Sequence, residues 1–208
     1  MSADEWGNRF PRKTKWNSDE LFEILLKLNK LIGKNKKILD MGCGLGEAIY
    51  FFNKKGHSCV GADIKTYGVW SELNLNCVKY DSETFPFKND EFDVVLLNNV
   101  FEHVSNKDKF SKEVKRVIKK NGKIIILLPT IKWKLSNLLN LPKYIIGGFL
   151  GNSFGTGYWF VHEPRIYGLN YISEFLTFKN WGKIIPRFFS VNQQFSMRNG
   201  KQLIFICK

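Results

Sequence analysis

Cysteine is scarce and badly spaced for bonding or metal capture: there are four in 208 residues. Cys43, Cys59, Cys77 and Cys207 form no CxxC pair, which excludes a disulfide scaffold and a cysteine-based zinc module. Free thiols in a reducing compartment, and so a cytoplasmic location, are expected. Long apolar runs are also missing. The most apolar stretch, 135–154, is broken by Asn137, Asn140, Pro142, Lys143 and the Gly147-Gly148 pair, so no spanning helix is expected. The opening MSADEWGNRF puts two acids ahead of its first base with no apolar stretch behind them, which does not fit a signal peptide. At most, peripheral membrane contact stays open.

Acid is what the second half lacks. Residues 1–113 hold 17 basic and 17 acidic side chains, whereas residues 114–208 hold 15 basic ones against Glu163 and Glu174 alone. The whole formal charge of +13 therefore belongs to the second half. An anionic partner is one reading of that charge. The other is compositional, since Lys outnumbers Arg 26 to 6, as an AT-rich genome would produce. At 44% hydrophobic and 25% charged residues, disorder is excluded and one compact domain is expected over 1–208.

What is present is an alternation of helices and strands. Ser18 and Asp19 precede Leu21, Phe22, Leu25, Leu28 and Leu31, a capped amphipathic helix closed by Gly33, within an N-terminal segment 1–35. Strands are expected at 37–41, 58–62, 77–80, 92–97 and 123–128, with helices over 47–55 and 107–119. Each of the first four strands runs into a polar residue: a glycine turn after Met41, then Asp63, Asp81, and Asn98-Asn99. Near-continuous apolar strands of this kind belong to a buried parallel sheet. A helix over 172–178 and two further strands, 183–190 and 202–207, complete the pattern in 171–208. The turn Arg198-Asn199-Gly200 makes the last strand antiparallel. The fold class is thus α/β: a doubly wound, mostly parallel seven-stranded sheet with an antiparallel last strand and helices on both faces. Ligands of such sheets bind outside the carboxyl ends of the strands.

The sharpest motif is Asp40-Met41-Gly42-Cys43-Gly44-Leu45-Gly46-Glu47. Its glycines allow a sharp turn and close approach of a ligand. Its spacing is GxGxG, and Asp40 and Glu47 bracket a helix start where a pyrophosphate would have to sit; their charge disfavours a dinucleotide. A ligand with a cationic end and no phosphate suits the turn. Asp63, on the next strand, is placed for a ribose diol.

These residues resemble the class I S-adenosylmethionine-dependent methyltransferases with a DxGCGxG loop, and the Rossmann-like sheet follows from that likeness. It covers about 36–129, the cofactor-binding half, in five blocks that fall in order. It implies that Asp40, Gly42, Cys43, Gly44 and Gly46 surround the methionine part of S-adenosyl-L-methionine. Asp63, with Ile64 as its matching neighbour, would hold the ribose hydroxyls; Asp81, followed by Ser82, would accept from the adenine amino group; and Asn98 would contact the methionine end. Val100-Phe101-Glu102-His103-Val104 and 117–123 are the remaining similar blocks. The stretch between Asp63 and Cys77 is too short for a full family helix, leaving that side of the pocket open or filled by Tyr67 and Trp70.

Methyl transfer is an in-line displacement, driven largely by positioning and water exclusion, and a base is needed only for an acceptor such as a hydroxyl. His103 and His162 are the candidate catalytic bases, while His57 in its Gly-His turn reads as structural. A divalent site of Glu102, His103 and His162 lacks a ligand, because Asn99 stands where similar enzymes carry a further glutamate; no metal is expected. Residues 131–170, rich in Lys, Trp, Tyr and Phe, read as an acceptor-side insertion or lid. They also bear a loose likeness to enzymes of bacterial surface-glycan synthesis. The leading expectation is O-methylation of a sugar, glycan or other small acceptor, anionic or lipid-linked. RNA methylation by the basic half and a non-catalytic cofactor-binding module are the alternatives.

Overall fold

The computed structural model describes residues 18–80, 84–136 and 179–208. Helix α1 (Ser18–Ile32) leads into β1 (Lys37–Met41), α2 (Glu47–Lys54), β2 (Ser58–Asp63), the short α3 (Gly68–Glu72) and β3 (Cys77–Lys79). Then come β4 (Phe92–Asn98), a 3-10 turn (Phe101–His103), α4 (Lys107–Val117), β5 (Ile118–Pro129) and α5 (Ile131–Ser136). The described chain ends with α6 (Trp181–Ile184), a 3-10 turn (Ile185–Arg187), β6 (Val191–Met197) and β7 (Gln202–Cys207).

The sheet order is β3-β2-β1-β4-β5-β7-β6. β1 pairs in parallel with β2 and β4, β2 with β3, and β4 with β5; β7 runs antiparallel to both β5 and β6. The strand order reverses between β1 and β4, whose carboxyl ends, Met41 and Asn98, therefore flank the crevice where ligands bind in such sheets.

Alternation along the strands sorts their side chains onto two cores. Ile38, Val94, Leu96, Ile125, Leu127 and Ile204 face α1 and α2, with Leu25, Leu28, Ile49, Phe51 and Phe52. Leu39, Met41, Val95, Leu97, Ile126 and Phe205 face α4 and the 181–189 segment. The expected α1 forms because Leu21, Ile24, Leu25, Leu28 and Ile32 are buried at helical spacing.

Two expectations are corrected. The β5 ladder starts at Ile118, not 123: Phe92 pairs with Ile118 and Val94 with Lys123, so Asp93 alone faces residues 119–122 in a bulge. Lys119 secures it by donating to Asp93 Oδ1 at 2.9 Å. The second correction is 183–190, expected as strand and found as helical turns, with the strand starting only at Val191. Pro186 has no N–H for a ladder, and Trp181, Ile185 and Phe189 are buried at helical i, i+4, i+8 spacing. The expected helix 172–178 and most of the 131–170 insertion lie outside the described residues.

Candidate active site

The turn after β1 is built against the end of β2. Gly42 and Cys43 both donate to Ala62 O, at 2.7 and 3.2 Å, and Gly46 closes the turn onto Cys43 O at 2.9 Å. Gly42 lies at φ +69, and a Cβ there would come within 2.3 Å of Val100 Cγ2. Gly46 caps α2 from the left-handed region at φ +85, where a Cβ would meet Leu75 Cδ1 at 2.4 Å. Both positions need glycine for conformation and for space.

Asp63, buried at the end of β2, organises the turn. Its Oδ2 accepts from Gly44 N–H at 2.9 Å and its Oδ1 from Lys65 N–H at 3.1 Å. Each carboxylate oxygen keeps a further acceptor site. On the opposite side of Gly44, its carbonyl accepts from Trp70 Nε1 at 2.8 Å. Gly44 is thus held at both its N–H and its C=O. Trp70 is buried and packs on Tyr67, both on the short 63–77 connection, with ring centroids 5.5 Å apart. Burial, and then the Asp63 charge, push the Tyr67 phenol above its usual range. Ile64 is exposed beside Asp63, an apolar surface at the mouth of the turn.

Asp40 is the electrostatic centre. It is buried, and its Oδ1 has no hydrogen-bond partner among the described residues. Burial, followed by the charges of Asp63 and Glu47, raises its carboxyl from 3.8 to about 8. A cationic group entering the turn would reverse that cost. The buried Cys43 Sγ lies 4.0 Å from Gly44 O and packs toward Gly61, where a Cβ would lie 2.7 Å from it; its thiol is pushed well above the usual range by its hydrogen bond with Cys77 and by burial.

Beyond β4, Asn99 takes a left-handed conformation at φ +54. Its N–H donates to Leu127 O at 3.0 Å and its Nδ2 to Asn98 Oδ1 at 3.3 Å. Its own Oδ1 accepts from Gln202 Nε2 at 3.1 Å. His103 ends the 3-10 turn with its side chain 40% exposed and its Nε2 3.8 Å from Glu102 Oε1. Among the described residues no group of three or more His, Cys, Asp or Glu is placed to hold a metal ion.

Asp81, Ser82 and His162 lie outside the described residues. The chain on either side of 81–83 is anchored: Tyr80 N–H donates to Asp63 O at 3.0 Å. On the other side Phe85 N–H donates to Glu113 Oε2 at 2.8 Å, and Arg116 donates to the carbonyls of Phe85 and Phe87 at 3.0 and 2.8 Å. His57 is structural, as expected. Its Nδ1 accepts from Lys36 N–H at 3.2 Å, its Nε2 lies 2.9 Å from Asn29 Oδ1, and burial pulls its pKa down.

Sequence reasoning brought Asp40, Gly42, Cys43, Gly44, Asp63, Ile64 and Asn98 to one end of the sheet, where the fold assembles them. It missed the contact of Gln202 with Asn99 and the anchoring of residues 85–87 by Glu113 and Arg116. Gln202 lies 103 positions from Asn99, and no local pattern marks such a pair. A methionine-type sulfonium ligand fits these groups: an unpartnered buried carboxyl oxygen for positive charge, and a fixed carboxylate beside a glycine cradle for a diol.

Comparison with known proteins gives the same answer. Residues 39–126 match the family model described as "Methyltransferase domain". An uncharacterized protein, MJ1123, from Methanocaldococcus jannaschii is 37% identical over 90 residues, 42% of each chain. The ubiquinone biosynthesis O-methyltransferase of Pelagibacter ubique is 33% identical over 106 residues, 45% of this chain and 42% of that protein. The matches span half or less of the length of these curated relatives. The PH0226 protein from Pyrococcus horikoshii shares the fold over 98% of both chains, with a TM-score of 0.62 at 20% identity. Glycine turn, acid pair and sheet order agree with that match: residues 39–126 are similar to the methyltransferase domain, and the sheet is the Rossmann-like sheet of the S-adenosylmethionine-dependent methyltransferases.

Proposed function

We propose that the protein transfers a methyl group from S-adenosylmethionine to a hydroxyl of a small acceptor, a sugar or glycan bearing an anionic group. The observation that carries the cofactor part is the Gly44–Asp63 contact at 2.9 Å above the unpartnered Asp40 oxygen. Asp63 would hold the ribose hydroxyls, the 42–46 backbone and Asp40 the methionine part, and Ile64 would cover an adenine face. Asp81 and Ser82 are proposed for the adenine edge. When bound, the cofactor supplies an electrophilic methyl on a positively charged sulfur.

The chain's task is then to hold the acceptor oxygen in line with the methyl and to keep water out. Transfer would exchange the C–S bond of the cofactor for an O–C bond on the acceptor, and a base on this chain would have to take the acceptor proton. His103, on the turn following β4, is the proposed base, and His162 is the other candidate. Neither needs a metal to act.

An anionic acceptor is supported by the edge beyond β5. Thr130 Oγ1 donates to Gly200 O at 2.6 Å and Thr130 N–H to Lys201 O at 3.1 Å, tying the β6–β7 turn to the start of α5. Lys132 lies along that turn, its Cδ 3.5 Å from where a Gly200 Cβ would be. The only acids after Glu113 are Glu163 and Glu174.

The test is incubation with methyl-labelled S-adenosylmethionine and a fractionated cell lysate. Label in the sugar or glycan fraction, with a shallow dependence on salt, supports the reading. Label in RNA, with binding that weakens steeply as salt rises, would replace it. Cofactor binding with no label in any fraction would leave a binding module instead.

A further inference from the structure

We propose that Gln202 is a positioning residue for the methionine end of the cofactor, acting through Asn99 on the side-chain amide of Asn98; this rests on the cofactor reading above. Gln202 opens β7 and is 1% exposed, opposite Pro129 of β5 and Met197 of β6. A buried amide at a strand end must find partners, and this one spends a donor on Asn99 Oδ1.

The direction of the chain follows from amide chemistry. A side-chain amide has one acceptor oxygen and one NH2 group. With Asn99 Oδ1 taken by Gln202, its NH2 is turned toward Asn98, whose Oδ1 accepts it at 3.3 Å. The NH2 of Asn98 is then the group left to face a ligand. Asn98 sits at the carboxyl end of β4, one residue past Leu97, which pairs with Met41 at the entrance to the glycine turn. An N–H donor there complements a carboxylate, the anionic part of an amino-acid ligand.

The backbone is held as well. Asn99 at φ +54 is a conformation that costs about 1 kcal/mol for most residues and needs support from its surroundings. Leu127 O and Gln202 supply that support from β5 and β7. The next residue, Val100, covers Gly42, so a displaced Asn99 would also disturb the floor of the turn.

The proposal is tested with two ligands that share the adenosine part. S-adenosylhomocysteine carries the amino-acid end, and methylthioadenosine lacks it. Calorimetry on the full chain should show Gln202→Met weakening S-adenosylhomocysteine roughly tenfold, the size of one charge-assisted hydrogen bond, with methylthioadenosine unchanged. Asn99→Ala should give the same differential, and the double variant should lose little more than either single one. Equal weakening of both ligands, or no change in either, would overturn the role assigned to Gln202. Wild-type protein that binds neither ligand would overturn the cofactor reading itself. If Gln202→Met fails to fold, Gln202→Glu serves: its carboxylate cannot donate, so Asn99 must turn its NH2 toward it, and the same selective loss is expected.

Discussion

The carboxylate of Asp63 accepts the backbone N–H of Gly44 at 2.9 Å across the gap between β2 and the glycine turn. One side chain thereby fixes the turn and, in the function proposed above, would also hold the cofactor. Removing it should cost the protein both stability and cofactor. Asp63→Ala leaves two N–H groups without their acceptor, which destabilises the free protein by about 1–3 kcal/mol. Asp63→Asn keeps one acceptor oxygen and should recover part of that loss. Urea unfolding of the three proteins measures the ordering.

Trp70 holds the opposite side of Gly44 through the 2.8 Å bond from its indole. Trp70→Phe keeps most of the apolar bulk and strands a buried carbonyl. A stability loss of about 1–3 kcal/mol is expected, together with weaker binding of S-adenosylhomocysteine. A midpoint identical to wild type would show that the bond does not support the turn.

Asp40 makes stability depend on pH. Its carboxyl is raised in the folded state from 3.8 to about 8, chiefly by burial. The folded state therefore favours the protonated acid, and its advantage is complete below pH 3.8 and lost as pH rises toward about 8. Asp40→Asn removes that dependence, so the stability difference between variant and wild type should grow in the variant's favour across this range. Ligand binding runs the other way. A cation in the turn favours ionised Asp40, so S-adenosylmethionine should release a proton on binding near pH 7 and bind more tightly as pH rises toward 8. Calorimetry in buffers of different ionisation enthalpy counts that proton, and S-adenosylhomocysteine, without the sulfonium, should release less.

Gly42 and Val100 test the packing between the turn and the end of β4. A Cβ on Gly42 would fall 2.3 Å from Val100 Cγ2 and would also face an unfavourable φ of +69. Gly42→Ala should destabilise by about 1–3 kcal/mol. Val100→Ala in the same chain should restore the steric part and leave the conformational part. Simple additivity of the two losses would contradict the contact.

The elements up to β4 were legible in the sequence because each is a short apolar run closed by Gly, Asp or Asn, and the sheet buries both faces of those runs. The same logic failed at 183–190. Ile184, Ile185, Phe188 and Phe189 read as strand, while the buried set Trp181, Ile185 and Phe189 is helical and Pro186 cannot join a ladder. Asp63 was legible as an acid closing β2 and is proposed for the ribose. Its contact with Gly44 N–H was not, because it depends on the pairing that sets the ends of β1 and β2 side by side. Gln202 gave no signal: a glutamine opening an edge hairpin looks like surface, and only the β5–β7 pairing buries it against Asn99.

The most direct measurement is a calorimetric titration of the purified protein with S-adenosylmethionine, beside Asp63→Ala checked for folding by circular dichroism. The account predicts saturable binding of one equivalent by the wild type and at least a hundredfold loss in the folded variant, since two charge-assisted hydrogen bonds to the ribose disappear. Unchanged affinity in Asp63→Ala, or no binding by the wild type, would contradict it.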